Sequence, residues 1–372
     1  MKNCIGLINS GDSKNNYGSL CDKRPDYMLP FGGRYRIVDF TLSNIAQHGI
    51  QKVVLYGGRN IRSTLDHVGN GKSWGLNRRR DGLMINPPSY GKDNSISNMK
   101  TYYKSLPFFE DTDLEHIYAS NPMFISRIDI SKAYKEYLEN DYDVLLLYRK
   151  QEDNMGQYLN AQKIILDENG NLENIGLHLG TENVFNMFIE NLFIKKEVFI
   201  RLVKESMEKG NAITLTQAIV NNKSKLNIGL LEVSRHVEMI RDLNSYYHAN
   251  MNLLNHGIYI DLLYDGEGIL TKAKDEPSTL YRDGCRVSNS ILANGCIIEG
   301  QVDNSIIFRG VEIGKNAIVK NSIIMQKGVV EDGAIVINSI VDKNGEIREN
   351  VFVQGAYNNP YVVEKYQVIE RG

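Results

Sequence analysis

Two periods of hydrophobic and polar residues divide the chain. Up to about residue 255, short apolar runs alternate with amphipathic stretches. Residues 4–8, 52–56, 116–119, 144–148 and 163–167 read as strands, and 39–48, 61–68, 130–138 and 196–207 as helices. Alternation of this kind predicts an α/β domain with a mostly parallel sheet and helices on both faces. Such sheets hold ligands at the carboxyl ends of their strands, so the loop after the first strand, 9–26, is the first place to look for chemistry. A further helix over 242–255 carries Leu243, Tyr246, Tyr247, Met251 and Leu254 at helical spacing. That pattern belongs to a core sooner than to a cofactor contact.

Beyond Gly257 the character changes. A stretch rich in Gly, Pro, Asp and Ser reads as a connector, which divides the chain into 1–256, a connector 257–282 and a second domain 283–372. In that second domain Asn-Ser-Ile followed by an aliphatic residue recurs at Asn289, Asn304, Asn321 and Asn338. Apolar residues recur at every sixth position: Cys285, Ile291, Ile297, then Ile307, Ile313, Val319, then Ile318, Ile324, Val330, Val336. A period of six gives one short strand per face of a triangular coil, roughly 18 residues per turn, with the inward aliphatics stacked into a continuous core. A β-sandwich would space its strands less regularly.

Composition narrows the function classes. A length of 372 residues suits two or three domains, and 42% hydrophobic with 24% charged residues suits a globular chain with a sizeable core. A net charge of −2 speaks against a nucleic-acid binder. The run Arg78, Arg79, Arg80 reads as a solvated loop. Four cysteines without CxxC spacing read as reduced thiols, and neither a signal-peptide segment nor an apolar run of about 18 residues is visible, so the expectation is a cytoplasmic protein away from membranes.

Three ordered blocks carry a family resemblance. Pro30-Phe31-Gly32-Gly33-Arg34-Tyr35-Arg36-Ile37-Val38-Asp39-Phe40, followed by Leu42-Ser43-Asn44, resembles the P-F-G-G-x-Y-R-x-I-D-F-x-L-S-N segment of bacterial ADP-glucose pyrophosphorylases, also called glucose-1-phosphate adenylyltransferases. Ala249-Asn250-Met251-Asn252-Leu253-Leu254 is similar to that family's A-N-M-D-L-L, and the repeat from Gly295 through Val311 is similar to its β-helix. The resemblance implies a nucleotidyltransferase-type, Rossmann-like domain followed by a left-handed parallel β-helix built of hexapeptide repeats. It also implies transfer of AMP from ATP to glucose 1-phosphate in glycogen synthesis. That chemistry needs a glycine-rich phosphate cradle, cations on the developing charge and carboxylates that hold Mg²⁺.

Motif by motif, those parts are missing. Where the family has G-G-x-G-T-R, this chain has a remnant with Gly11 and Asp12, and the arginine is gone. The lysine shortly before P-F-G-G falls on or beside Asp26. The metal-holding aspartate of the S-G-D segment falls on Met123, or on Asn121 with a shift of two, and the second metal aspartate falls on Met239, with Asp242 three residues away. No lysine lies between Lys163 and Lys195 to meet a sugar phosphate, and nothing near 97–101 matches the family's G-T-A-D-A block.

Arg24, Arg36 and, on the β-helix, Arg309 fall where the family binds an anionic effector, and an arginine fork suits phosphate oxygens. The alternative for Arg36 is a structural pair with Asp39 or Asp66. The leading expectation is a regulatory-type subunit with no cofactor of its own, assembled with a catalytic, Mg²⁺-dependent partner in a hetero-tetramer. A second is an active nucleotidyltransferase that uses the displaced carboxylates Asp12, Asp129 and Asp242. A third, acyl transfer on the β-helix, generally needs a histidine base on the coils, but all seven histidines precede the repeat.

Overall fold

The computed structural model describes residues 1–9, 16–79, 81–88, 98–154, 156–264 and 266–371. Contacts divide the chain into two compact units that do not follow chain order. One comprises Met1–Asp12, Thr41–Ile61 and Val68–Val237; the other comprises Ser13–Phe40, Arg62–His67 and Glu238–Gly372. The sequence division at 256 and 282 cuts across them, because the P-F-G-G segment clusters with the later residues.

The first unit is built on a nine-stranded sheet. Cys4–Ile8 pairs in parallel with Lys52–Tyr56 on one side and His116–Ser120 on the other, and Lys52–Tyr56 continues in parallel to Leu83–Asn86. The twelve-residue strand Val184–Lys195, which has no clean alternation in the sequence, enters antiparallel to His116–Ser120 and to Val144–Glu152. Gln162–Leu166 and Leu172–Leu177 form an antiparallel edge beside it. The strands expected from apolar runs are all present, within a residue or two for most and longer at Val144–Glu152.

Helices cover the sheet where caps start and stop them. Asp129 accepts from the backbone N–H of Lys132 and opens Ile130–Glu139; Thr214 accepts from Gln217 and opens Leu215–Asn221. Gly210, at φ +63°, closes Lys196–Lys209 in the left-handed conformation that suits glycine. Beneath them Tyr102, Phe109 and Phe199 meet with ring centroids 4.9–5.4 Å apart, in a core that includes Ile5, Leu7, Val54, Ile117 and Leu146. Tilted aromatic contacts of this kind add to the area they bury.

In the second unit Pro30–Phe31 and Tyr35–Arg36 form a two-stranded hairpin that turns through Gly32 and Gly33, at φ +59° and +77°. The turn is tied to the helix Leu243–Asn252. The Gly32 N–H donates to Asn250 Oδ1 at 3.0 Å, the Asn250 amide donates to Tyr246 O at 2.9 Å, and the Tyr246 hydroxyl donates to Pro30 O. Two of the family-like blocks, 218 residues apart in the chain, are thus one hydrogen-bonded assembly.

The repeat forms a left-handed parallel β-helix of three sheets, each strand pairing in parallel with its counterpart one coil later. Its inward positions are Ile298, Val302, Ile307, Ile313, Val319, Ile324, Val330, Val336, Val341 and Ile347. The expected six-residue ladder is corrected at Ile291, Ile297 and Ile318, which are only half-buried. In the middle coils one face advances five residues, not six, so Val302 pairs with Val319 and Val319 with Val336, a 17-residue turn, while the first turn, Asn289 to Asn304, is 15 residues. A strict period of six therefore drifts out of phase.

The corners explain the Asn-Ser pair. Asn289, Asn304, Asn321 and Asn338 all take positive φ, between +38° and +48°. Their side chains link in a ladder: Asn289 Nδ2 to Asn304 Oδ1 at 2.7 Å, Asn304 to Asn321 at 2.7 Å, and Asn321 to Asn338 at 3.2 Å. Asparagine tolerates this backbone better than other side-chain-bearing residues do. Beside it the Ser305, Ser322 and Ser339 backbone N–H groups donate to the serine hydroxyl one coil earlier.

Candidate functional site

Asn9 follows the first strand, and its N–H donates to Ser120 O at 3.0 Å, which draws the carboxyl ends of two parallel strands together. Just beyond them lies a cleft of about 470 Å³, open mouth included, lined by Asn98, Tyr102, Asn121, Gln162, Phe188, Glu190, Thr214 and Thr216 among others. This is where a parallel sheet is expected to bind ligands.

Glu190 is the unusual residue of the cleft. The register between Val184–Lys195 and Val144–Glu152 breaks between Phe188 and Asn191, and Glu190 sits in that bulge at φ +52°. A left-handed residue other than glycine costs about 1–2 kcal/mol, a strain that tends to gather at functional sites. Asn121 Nδ2 donates to one carboxylate oxygen at 2.9 Å and Gln162 Nε2 to the other at 3.1 Å. Burial pushes the carboxyl above its ordinary value of 4.5, with the Asn121 bond opposing.

The catalytic positions inferred from sequence fall as follows. Met123 is 5% exposed, a buried thioether whose backbone N–H donates to Asn121 Oδ1 at 2.9 Å. Asn121 is thus committed at both ends of its amide. Mg²⁺ needs a near-octahedral set of hard oxygens, usually with carboxylates in it. A thioether, an engaged amide and a carboxylate already accepting from two amide N–H groups do not fit that ion. Met239 is buried in the other unit; its neighbour Glu238, also buried, accepts from Asn252 Nδ2 at 2.9 Å. Asp129 and Asp242 are occupied as helix caps, the latter in a capping box with Ser245. Gly11 and Asp12 lie outside the described residues. Asp26 is buried and accepts from the N–H of Tyr27.

The second unit carries the arginines. Arg24, expected to face an anion, is 7% exposed and turned on a carboxylate of its own chain: Nη2 lies 2.8 Å from both oxygens of Asp342. Arg36 donates through Nη1 to Met28 O, while its backbone N–H, not its guanidinium, bonds Asp39 at 2.9 Å. Burial, and then the Arg24 charge beside it, bring the Arg36 guanidinium down to about 10. Asp39 is fully buried, with His67 Nε2 2.7 Å from one oxygen and the Thr271 hydroxyl donating to the other at 2.6 Å. Thr271 belongs to the stretch read as a connector, which this bond pins down.

Arg309 borders a cavity of about 680 Å³, open mouth included, together with Gly32, Gly33, Arg34, Tyr35, Tyr264 and Lys274. Burial and then Arg34 lower the Arg309 guanidinium. Lys274 is lowered by burial and then by Arg309 and Arg36; Lys343 by burial and then by Lys274, Lys365 and Arg36. Cations that depress one another mark a region of positive potential, which favours an anion. Sequence reasoning found Arg36 and Arg309 here but missed Arg34, Lys274 and Lys343. It also missed Glu190, whose only sequence trace is a charged residue interrupting a long apolar run.

All four cysteines are free, and no helix among the described residues is long and apolar enough to cross a membrane. Residues 277–372 match the family described as GlmU-like, C-terminal hexapeptide. The chain is similar to the glycogen biosynthesis protein GlgD of Bacillus subtilis, 28% identical over 318 residues that cover 85% of this chain and 82% of that protein. It is 29% identical to GlgD of Geobacillus stearothermophilus over the same shares. It is also similar to glucose-1-phosphate adenylyltransferase of Thermotoga maritima, 28% identical over 86% of this chain and 77% of the enzyme. Two family-like blocks joined through Gly32 and Asn250, the hexapeptide coils and these relatives agree in supporting the ADP-glucose pyrophosphorylase family.

Proposed function

We propose that this chain is a regulatory-type subunit of glucose-1-phosphate adenylyltransferase. It acts in the cytoplasm, in glycogen synthesis, by modulating a catalytic partner within a hetero-tetramer. The observation that carries the reading is the cleft at the strand ends, where AMP transfer needs metal-holding carboxylates and the Glu190 carboxylate is instead engaged by the Asn121 and Gln162 amides. Beside it stand Met123 and Asn121 in place of a metal ligand. Losing one well-placed electrostatic group costs about 10²–10³ in rate, so the loss of several leaves little catalysis. Mg²⁺ belongs to the partner's chemistry, and this chain needs no cofactor.

The positive region around Arg309, Lys274, Arg36 and Lys343 supports a role for an anionic effector. Arg24, paired with Asp342, acts there through the position of its neighbours. A subunit that biases its partner does so through a coupling free energy, typically about 1–3 kcal/mol.

The test is to purify the chain alone and mixed with a catalytic relative, and to measure mass and the rate of ADP-glucose formation together. The expected result is negligible turnover alone, co-assembly on mixing, and a changed rate or effector response. Arg309→Ala is expected to weaken the effector response while leaving the mass unchanged. Turnover of the isolated chain within tenfold of its catalytic relative, or co-assembly with unaltered kinetics, overturns the reading.

A further inference from the structure

The last coil of the β-helix departs from the turns before it. Tyr361 pairs with Ser339 one coil back, but the chain between them is longer than the 17-residue turns that link Asn304 to Asn321 and Asn321 to Asn338. The extra residues leave the coil as a tight hairpin, in which Ala356 and Asn359 exchange both backbone hydrogen bonds at 3.0 Å. Two contacts hold it in place. The Asn338 amide donates to Gly355 O at 3.2 Å, and the centroid of the Tyr357 ring lies 4.7 Å from that of His248, on the helix Leu243–Asn252. Around the base of the hairpin opens a notch of about 810 Å³, open mouth included.

The residues lining this notch are all neutral: Gln354, Asn359 and Tyr361, with small and apolar residues between them. An anionic ligand finds no cation among them, and a cationic one no carboxylate. The side chains of Gln354 and Asn359 are exposed and have no hydrogen-bond partner among the described residues, so each offers two donors and an acceptor. Tyr361 is 43% exposed. Gln354 shares the outer face of its strand with Phe352, which is 59% exposed, because Val353 between them belongs to the core; the two lie about 7 Å apart along the strand. Exposed rings beside uncommitted amides suit a sugar, whose C–H face packs on an aromatic ring while its hydroxyls bond to the amides. An extended peptide gains less, since the Ala356 and Asn359 backbones already bond each other. We propose that the notch binds a neutral oligosaccharide, with Tyr361 as its stacking ring and Gln354 and Asn359 as its hydrogen-bonding side chains. A hairpin already held in place lowers the ordering cost of binding. The notch lies within one compact unit of the chain, so the proposal is independent of catalysis and of any partner subunit.

Saturation-transfer NMR on the purified full chain, with maltoheptaose and cellohexaose as separate probes, tests it. At least one is expected to bind with a Kd on the order of 1 mM. Tyr361→Ala is expected to weaken that binding at least about tenfold and Gln354→Ala about threefold or more, with melting curves unchanged because both side chains are exposed. Tyr361→Phe, which keeps the ring, is expected to bind within about twofold of the wild type. Tyr281→Ala, which removes a ring exposed elsewhere on the β-helix, is expected to leave the affinity unchanged. No binding of either probe at about 20 mM, binding undiminished in both Tyr361→Ala and Gln354→Ala, or an equal loss in Tyr281→Ala overturns the proposal. A sugar held in the cleft at the strand ends gives the undiminished result, so the two sites are told apart.

Discussion

Arg24 and Asp342, 318 residues apart in the chain, form a buried ion pair in which a single guanidinium nitrogen lies 2.8 Å from both carboxylate oxygens. Met325 Sδ lies 3.8 Å from the other terminal nitrogen, and the Lys343 N–H donates to the same Asp342 oxygen at 2.6 Å. With side chains 8% and 1% exposed, neither charge can fall back on water if its partner is removed.

Arg24→Ala and Asp342→Asn are therefore each expected to destabilise the fold by about 3–5 kcal/mol, because each strands a buried charge. The double variant Arg24→Met, Asp342→Leu is expected to recover much of that loss. Urea denaturation of the four proteins measures each cost. A single variant within about 0.5 kcal/mol of wild type would mean that the pair is open to solvent.

Ile324 pairs with Ile307 and Val341 across three coils and is fully buried, whereas Ile318 is half-buried on the outside of its strand. Ile324→Ala is expected to cost about 2–5 kcal/mol and Ile318→Ala under about 1 kcal/mol. Equal costs would contradict the 17-residue phasing.

Asn321 holds a left-handed corner, links Asn304 to Asn338, and accepts the Tyr247 hydroxyl at its backbone oxygen at 2.6 Å. Asn321→Ala is expected to cost about 2–3 kcal/mol, from backbone strain and two lost hydrogen bonds. Asn321→Gly, free of the strain, is expected to cost about 1 kcal/mol less. A glycine variant no better than the alanine one would assign the whole effect to the ladder.

Glu190 has a folded-state pKa raised above 4.5 by burial. Between the unfolded and folded values the native state binds more protons, so stability falls as pH rises through that window. Glu190→Gln removes this dependence. It is expected to be more stable than wild type at neutral pH, with the advantage shrinking as pH falls and gone below about 4.5. Melting curves from pH 4 to 8 would show it, and an advantage that grows toward acid would reverse the sign of the argument.

What could be read from the sequence followed from local pattern. The strand Cys4–Ile8 and the helix Ile130–Glu139 announce themselves by an apolar run and by Asp129 at the start of an amphipathic period. The coil repeat was visible through Asn304, Asn321 and Asn338, but not its inward face, because a five-residue step hides in a six-residue rhythm. Val184–Lys195 was unreadable as a strand: Asn186, Glu190 and Asn191 interrupt it, and a bulge breaks its alternation. That Met123 stands where the resemblance expects an aspartate was legible from the motif alone. The partner of Arg24 was not, since a guanidinium can face a ligand or a carboxylate of its own chain, and only the fold chooses.

The 17-residue turn limits how the β-helix can change length. Asn304, Asn321 and Asn338 each hand their side chain to the next corner, and Ser305 and Ser322 each accept from the serine that follows. An insertion or deletion of a whole coil would present every cut edge with the same amide, hydroxyl and aliphatic neighbours it had before. A gain or loss of one residue inside a strand would turn an isoleucine outward and put a polar residue in its place on the axis. The strands of the β-helix are therefore fixed in phase, and its turns change length only at the corners: the first, Asn289 to Asn304, is shorter at 15 residues, and the last, Ser339 to Tyr361, is longer because extra residues lie between its strands.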